Sequence, residues 1–170
     1  MLITSILSNT PVWVWVLLAF LVQRGLKARH PQEMPPWRAL IIPGVFLAWS
    51  LIAICNQLVD WSTALAAFAV ALAFGFAAGW INTLRLPAAR YNPETGLMWR
   101  PGSAMTLVLI VVAFCAKYTL NVALAMEPQL AAQVGFALLF GAIAGLVSGA
   151  FWGGTALQFR RAFAPRAVLL

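Results

Sequence analysis

Only four acidic side chains occur in 170 residues, Glu33, Asp60, Glu94 and Glu127, beside a single histidine, His30, and two cysteines, Cys55 and Cys115. One histidine, placed in a proline-rich loop, excludes a His-rich metal or haem site and a Ser-His-Asp arrangement. None of the acids lies inside an apolar stretch, so there is no carboxylate pair of the kind that relays protons across a bilayer. The glycines are not spaced for a strand-to-helix turn that cradles phosphates. No metal and no cofactor is expected, and an enzyme is disfavoured, with a lipid-modifying one as the form that needs fewest residues. Charged residues of both signs amount to only 9% of the chain, against 63% hydrophobic, with a mean hydropathy of +0.90. A soluble domain needs a polar shell that this composition lacks, so an integral membrane protein is predicted.

What is there in quantity is apolar sequence. A spanning helix takes roughly 20 apolar residues, and the apolar stretches fall near 11–25, 39–59, 62–83, 104–125 and 130–157. The expected architecture is all-α: one transmembrane domain over 1–170 with about five spans, two tandem helical hairpins preceded by an N-terminal helix that packs outside them. The first stretch is the shortest, and four spans with an interfacial or re-entrant piece extended by Leu2–Leu7 is the alternative. Thr10-Pro11 suits a helix start, and Trp13 and Trp15 suit an interfacial belt. Residues 1–10 contain no Lys or Arg, so the opening lacks the basic region of a cleavable signal and the first helix is expected to be retained.

The charge map orients the chain. Arg24, Lys27, Arg29 and Arg38 lie between the first two stretches, Arg85, Arg90 and Arg100 between the third and fourth, and Arg160, Arg161 and Arg166 after the fifth. The other two connections carry only acids. By the positive-inside rule the N-terminus is outside, periplasmic in a bacterial inner membrane, and the C-terminus cytoplasmic. The formal charge of +7 is thus topological, with anionic headgroups and not nucleic acid as its counter-charge. Cys55 and Cys115 are expected as reduced, buried small hydrophobes.

Two connections have character of their own. His30 to Pro36 is a stiff, proline-rich connector, and Pro43-Gly44 marks either a kink or the true start of the second helix. Between Ala88 and Arg100, the polar centre Asn92-Pro93-Glu94-Thr95-Gly96 is flanked by residues suited to a pleated surface, which predicts a small β-hairpin or an irregular loop.

The pattern Ala-Leu-x-Phe-Gly-x-x-Ala-Gly occurs twice, at Ala71–Gly79 and Ala137–Gly145, each time after a Trp-Arg pair, Trp37-Arg38 or Trp99-Arg100. An internal repeat is the reading. Gly141, Gly145, Gly149 and Gly153 form a stripe without side chains, and Ala67, Ala71, Gly75 and Gly79 a matching one. Small residues at this spacing let helices approach to backbone contact, as in a glycine zipper. The third and fifth stretches are therefore expected to cross closely as a pseudo-symmetric pair about an axis along the membrane normal, unless one stripe serves a homo-oligomer or another membrane protein.

Lys117 demands a reason, because a cation near the middle of a span costs on the order of 3 kcal/mol on insertion scales unless partnered. Tyr118 and Asn121 neighbour it; Asn56, Gln57 and Asp60 end the second helix, Ser62 and Thr63 begin the third, and Gln129 and Gln133 open the fifth. The expectation is a polar ligand pocket in the outer half built from Lys117, Asp60, Asn56, Gln57, Tyr118 and Asn121, with a Lys117–Asp60 pair at its heart. At Lys117's depth the second helix is expected to offer only apolar residues and Cys55.

Asn92-Pro93-Glu94-Thr95-Gly96, followed by Trp99-Arg100-Pro101-Gly102-Ser103 and by Cys115-Ala116-Lys117-Tyr118, resembles a family of small, uncharacterised five-span proteobacterial inner-membrane proteins. The likeness extends to Thr10-Pro11-Val12-Trp13 and the terminal glycine-rich helix, and implies no assigned activity. A weaker likeness in layout is to the CcdC-like proteins associated with cytochrome c maturation, although this chain has neither a CxxC nor paired histidines. The expected function is binding or passage of a small solute, ion or lipid through the polar pocket. The alternatives are a membrane scaffold or accessory subunit associating through glycine-rich faces and, third, a lipid-modifying enzyme.

Overall fold

A computed structural model describes residues 19, 22, 23, 25–27 and 29–164, with the side chains of residues 104 and 105 excepted. The first apolar stretch, 11–25, lies largely outside the described residues, as do Thr10-Pro11, Trp13 and Trp15; residues 19, 22, 23 and 25–27 are helical. From there the order is β1 (Gln32–Met34), α1 (Pro36–Gln57), α2 (Trp61–Leu84), β2 (Arg90–Asn92), β3 (Leu97–Arg100), α3 (Ala104–Met126), a 3₁₀ turn (Pro128–Ala132) and α4 (Val134–Phe163). Among the described residues four helices are long and apolar enough to cross a membrane, each with a mean hydropathy of 2.1 in its best window, in keeping with an integral membrane protein.

The helix boundaries have local causes. α1 starts with Pro36 in its first turn, where a missing N–H costs nothing, and runs on through Pro43, so Pro43-Gly44 is not its start. Asp60 caps α2: its carboxylate accepts from the Thr63 amide at 3.2 Å and from Ser62 Oγ at 2.9 Å. Gln129 belongs to the 3₁₀ turn and Gln133 precedes α4, which begins at Val134 and not near 130. At the far end of α2, Arg161 of α4 reaches across and donates to the carbonyls of Thr83 (3.3 Å), Leu84 (3.3 Å) and Leu86 (3.0 Å). The Thr83 carbonyl also accepts from the Leu86 amide at 3.1 Å, and a cation over the carbonyls at a helix C-terminus adds hydrogen bonds and favours the helix dipole.

The hairpin between α2 and α3 forms, and it recruits a partner. Asn92 Oδ1 accepts from the Glu94 amide at 3.0 Å, the Gly96 amide donates to the Asn92 carbonyl at 2.9 Å, and Gly96 takes a φ of 67°. β1, from the segment expected as a plain connector, pairs antiparallel with β3 to make a sheet of order β1-β3-β2. A lone hairpin is marginal; the third strand and an apolar underside solve that. Met34, Met98 and Tyr91 share one face by register, and this face packs on Ala39 of α1 and on Phe159 and Ala162 of α4. The sheet thereby closes one end of the bundle, called here the sheet end; the 58–60 and 127–133 connections form the turn end.

α4 is the central helix and half its best apolar window is buried, against 17% for α3. α2 and α4 run parallel in close contact. A methyl at Gly75 would meet the backbone of Leu146, at Gly79 that of Ala150, at Gly141 that of Ala64, and at Gly149 those of Leu72, Phe76 and Gly75. Each step of four on one helix matches a step of four on the other. The repeated motifs nevertheless do not face one another, because Gly75 lies against Leu146 and Gly149, about two turns beyond its counterpart Gly141. The stripes pair out of register, so the expected pseudo-symmetric crossing of equivalent glycines is not what the chain forms. α1 and α3 lean on α4 more than on each other. Cys55 and Cys115 are exposed on helix surfaces that the bundle leaves uncovered, contrary to the expected burial.

Candidate functional site

Two apolar clusters fill the bundle. Toward the sheet end, Phe46 of α1, Ile110 and Ala113 of α3 and Phe151 of α4 pack together, with Phe46 and Phe151 stacked at 5.2 Å. Toward the turn end, Ala53 and Ile54, Leu120, and Phe140 and Ala144 from the same three helices pack with Ala64 and Phe68 of α2. Between the clusters lies one polar layer, because Ser50, Lys117 and Ser148 each stand about one turn from a member of either cluster.

The layer is bonded. Lys117 Nζ donates to Ser50 Oγ at 2.9 Å. Ser50 Oγ donates to the Phe46 carbonyl at 2.7 Å and lies 3.4 Å from Ser148 Oγ. Both serines are fully buried. The ammonium sits 5.2 Å from the Trp49 ring centroid and 5.9 Å from that of Phe46, within the range of cation–π attraction. Lys117 is half-buried, and Trp49 beside it is 41% exposed, so this aromatic wall continues to the bundle surface. The site combines a fixed cation, two hydroxyls and an apolar surround, and among the described residues no carboxylate neutralises the charge.

The sequence-predicted pocket is only partly assembled. Lys117 takes Ser50, not Asp60, as its partner, since Asp60 is engaged at the α2 N-terminus. Hydrogen bonds from Thr63 and Ser62 hold the Asp60 carboxyl below its ordinary value of 3.8. Asn56 and Gln57 are exposed at the turn end of α1. Asn121 is also exposed and donates to the Lys117 carbonyl at 2.8 Å, within its own helix. Tyr118 stacks on Phe114 at 6.1 Å. Ser50 and Ser148 were absent from the expectation, which allowed only apolar residues and Cys55 at this depth of α1. Counting turns from Asp60 and from Glu127 would have found Ser50, but a serine whose hydroxyl is satisfied by its own helix leaves hydropathy almost unchanged.

The predicted packing glycines, Gly75, Gly79, Gly141, Gly145, Gly149 and Gly153, all lie against the backbone of the opposing helix within this one chain. Among the described residues no group of three or more His, Cys, Asp or Glu is gathered as a metal site would require. At the sheet end burial desolvates the Arg100 guanidinium, which lowers its pKa.

Residues 1–167 match a family of unknown function, DUF6622, and the chain belongs to that family. An uncharacterized protein of Pasteurella multocida (strain Pm70) is 35% identical over 43 residues, which make up 25% of this chain and 34% of that protein. No solved structure matches the chain.

Proposed function

We propose that this DUF6622 protein is a multi-pass inner-membrane protein that binds or passes a small anionic solute or lipid, whose charge is received by Lys117 in the polar layer between α1, α3 and α4. The observation that carries the proposal is the ammonium's set of partners among the described residues: one hydroxyl, Ser50 Oγ at 2.9 Å, two aromatic faces and no carboxylate. An ammonium has three donors, so capacity remains for an anion. Trp49, exposed at the edge of the site, favours entry from the lipid, alongside α1 and α3. An amphiphile with a carboxylate head is the ligand class that matches a cation reached over an aromatic, apolar wall.

The sheet end is proposed to be cytoplasmic. Lys27, Arg29, Arg38, Arg85, Arg90, Arg100, Arg160 and Arg161 gather there, whereas the turn end carries Asp60 and Glu127. Association into a homo-oligomer or with another membrane protein is proposed through the exposed faces of α1 and α3. The scaffold reading built on glycine faces has less support, since both stripes are covered within the chain.

The test uses dibrominated stearate, whose bromines quench nearby tryptophan, titrated into proteoliposomes holding the full chain, with its methyl ester as the uncharged control. The free acid is expected to give a saturable quench that the ester lacks, and Lys117→Met and Trp49→Phe should each remove it. Equal quenching by acid and ester, or a saturable component that persists in Lys117→Met, refutes the proposal.

A further inference from the structure

The Lys117 layer leaves unexplained the arginines at the sheet end, and they are not equivalent. Arg161 is bound to three carbonyls, Arg160 lies 5.7 Å over the Trp80 ring, and Arg38 lies 5.5 Å over Trp37. Arg90 is exposed, and its guanidinium has no hydrogen-bond, ion-pair or ring partner among the described residues. Its place in the sheet gives it company of another kind. Strand register sets Arg90 opposite Trp99 and Trp99 opposite Glu33, so these three side chains form a row on the face turned away from the helix ends. Two strand spacings, roughly 10 Å, separate the backbones of Arg90 and Glu33, and the indole stands between the opposite charges. Beside this row Pro87, Ala88, Arg90 and Trp99 line a cleft of about 330 Å³.

We propose that this cleft is a binding site for the phosphate of an anionic phospholipid headgroup. The guanidinium fork takes two phosphate oxygens side by side, a geometry that a point charge does not reproduce. The indole N–H is a donor only, suited to a third oxygen. The occupant is a lipid and not free phosphate because of where the cleft lies. The underside of the sheet is packed on the ends of α1 and α4, which sets the cleft at the level where apolar helices stop. Leu84 and Ile81, 50% and 58% exposed on the last turns of α2, lead up to Pro87 and offer an apolar track for acyl chains. Arg85, Arg100 and Arg160 at the same end add a positive field that favours an anionic headgroup over a zwitterionic one.

Native mass spectrometry of the full chain released from detergent, with phosphatidylglycerol or phosphatidylcholine added, tests the proposal. Phosphatidylglycerol should be retained preferentially, and Arg90→Gln should weaken its retention about tenfold, the effect of losing one charge-assisted contact. Arg90→Lys, which keeps the charge without the fork, should fall between the two. Trp99→Phe should weaken retention about threefold. Arg85→Gln, outside the cleft lining, removes only part of the surrounding field and should weaken retention less than Arg90→Gln. Equal retention of the two lipids overturns the proposal. So does an equal loss in Arg85→Gln and Arg90→Gln, which would mean diffuse attraction, or displacement of the lipid by millimolar inorganic phosphate, which would mean a site for a free anion.

Discussion

Replacing Gly149 by alanine puts one methyl between α2 and α4. Built on the existing backbone, that methyl meets the Leu72 carbonyl oxygen and lies 2.7 Å from the Phe76 nitrogen and 3.0 Å from the Gly75 carbonyl carbon. All three are backbone atoms, so no side chain can rotate away. Restoring an ordinary contact to Phe76 alone, from 2.7 to 3.4 Å, parts the helices locally by at least roughly 0.7 Å. A gap of that size forfeits a quarter to a half of each dispersion contact, and in lipid little hydrophobic gain makes up the loss. Overpacking of this kind costs about 1–3 kcal/mol, partly offset by alanine's higher helix propensity, up to about 1 kcal/mol. A net loss of about 1–2 kcal/mol is expected. Gly44 supplies the internal control, because nothing lies within 4 Å of a methyl built there. Gly44→Ala should be neutral or stabilising by up to about 1 kcal/mol from propensity alone. Thermal denaturation of the purified chain in one detergent, followed by circular dichroism, compares the two. Midpoints that move together, or a Gly149→Ala midpoint unchanged from the parent, refute close backbone contact between α2 and α4.

Ser50→Ala removes the acceptor of the Lys117 ammonium and should lower stability by about 1–3 kcal/mol, the cost of an unsatisfied buried group; Ser148→Ala, at 3.4 Å, should cost less in the same melt. Arg161→Gln releases the carbonyls of Thr83, Leu84 and Leu86 and should cost about 1–2 kcal/mol, with faster amide exchange confined to the last turn of α2. Asp60 makes the turn end acid-sensitive. Its folded-state pKa lies below the ordinary 3.8, so the stabilisation is present above that value and is lost as pH falls through the lowered one. Asp60→Asn should flatten the acid limb of a stability profile, and an unchanged limb would place the sensitivity elsewhere.

How much was legible follows from the range over which each signal acts. The apolar runs set the four described helices, because satisfying backbone hydrogen bonds in lipid leaves a helix as the form for an open stretch. Pro36, Asp60 and the Asn92–Gly96 turn set local boundaries through bonds spanning only a few residues, and a period-four glycine pattern marks a side-chain-free stripe whatever it faces. Registration between distant segments is another matter. β1 became a strand only because β3 lay beside it, and nothing in His30–Pro36 by itself asks for a sheet. The two copies of the glycine motif are alike in sequence, yet the pairing that forms slides them about two turns apart. Lys117 demanded a partner, and charge pointed to Asp60; proximity chose Ser50, whose hydroxyl is silent in any hydropathy count. Sequence alone thus determined which segments are helical and which residues are costly to bury, since those depend on local bonding and transfer energy. Tertiary structure decided which buried groups meet, because short-range packing and hydrogen bonds act only between surfaces already brought into register.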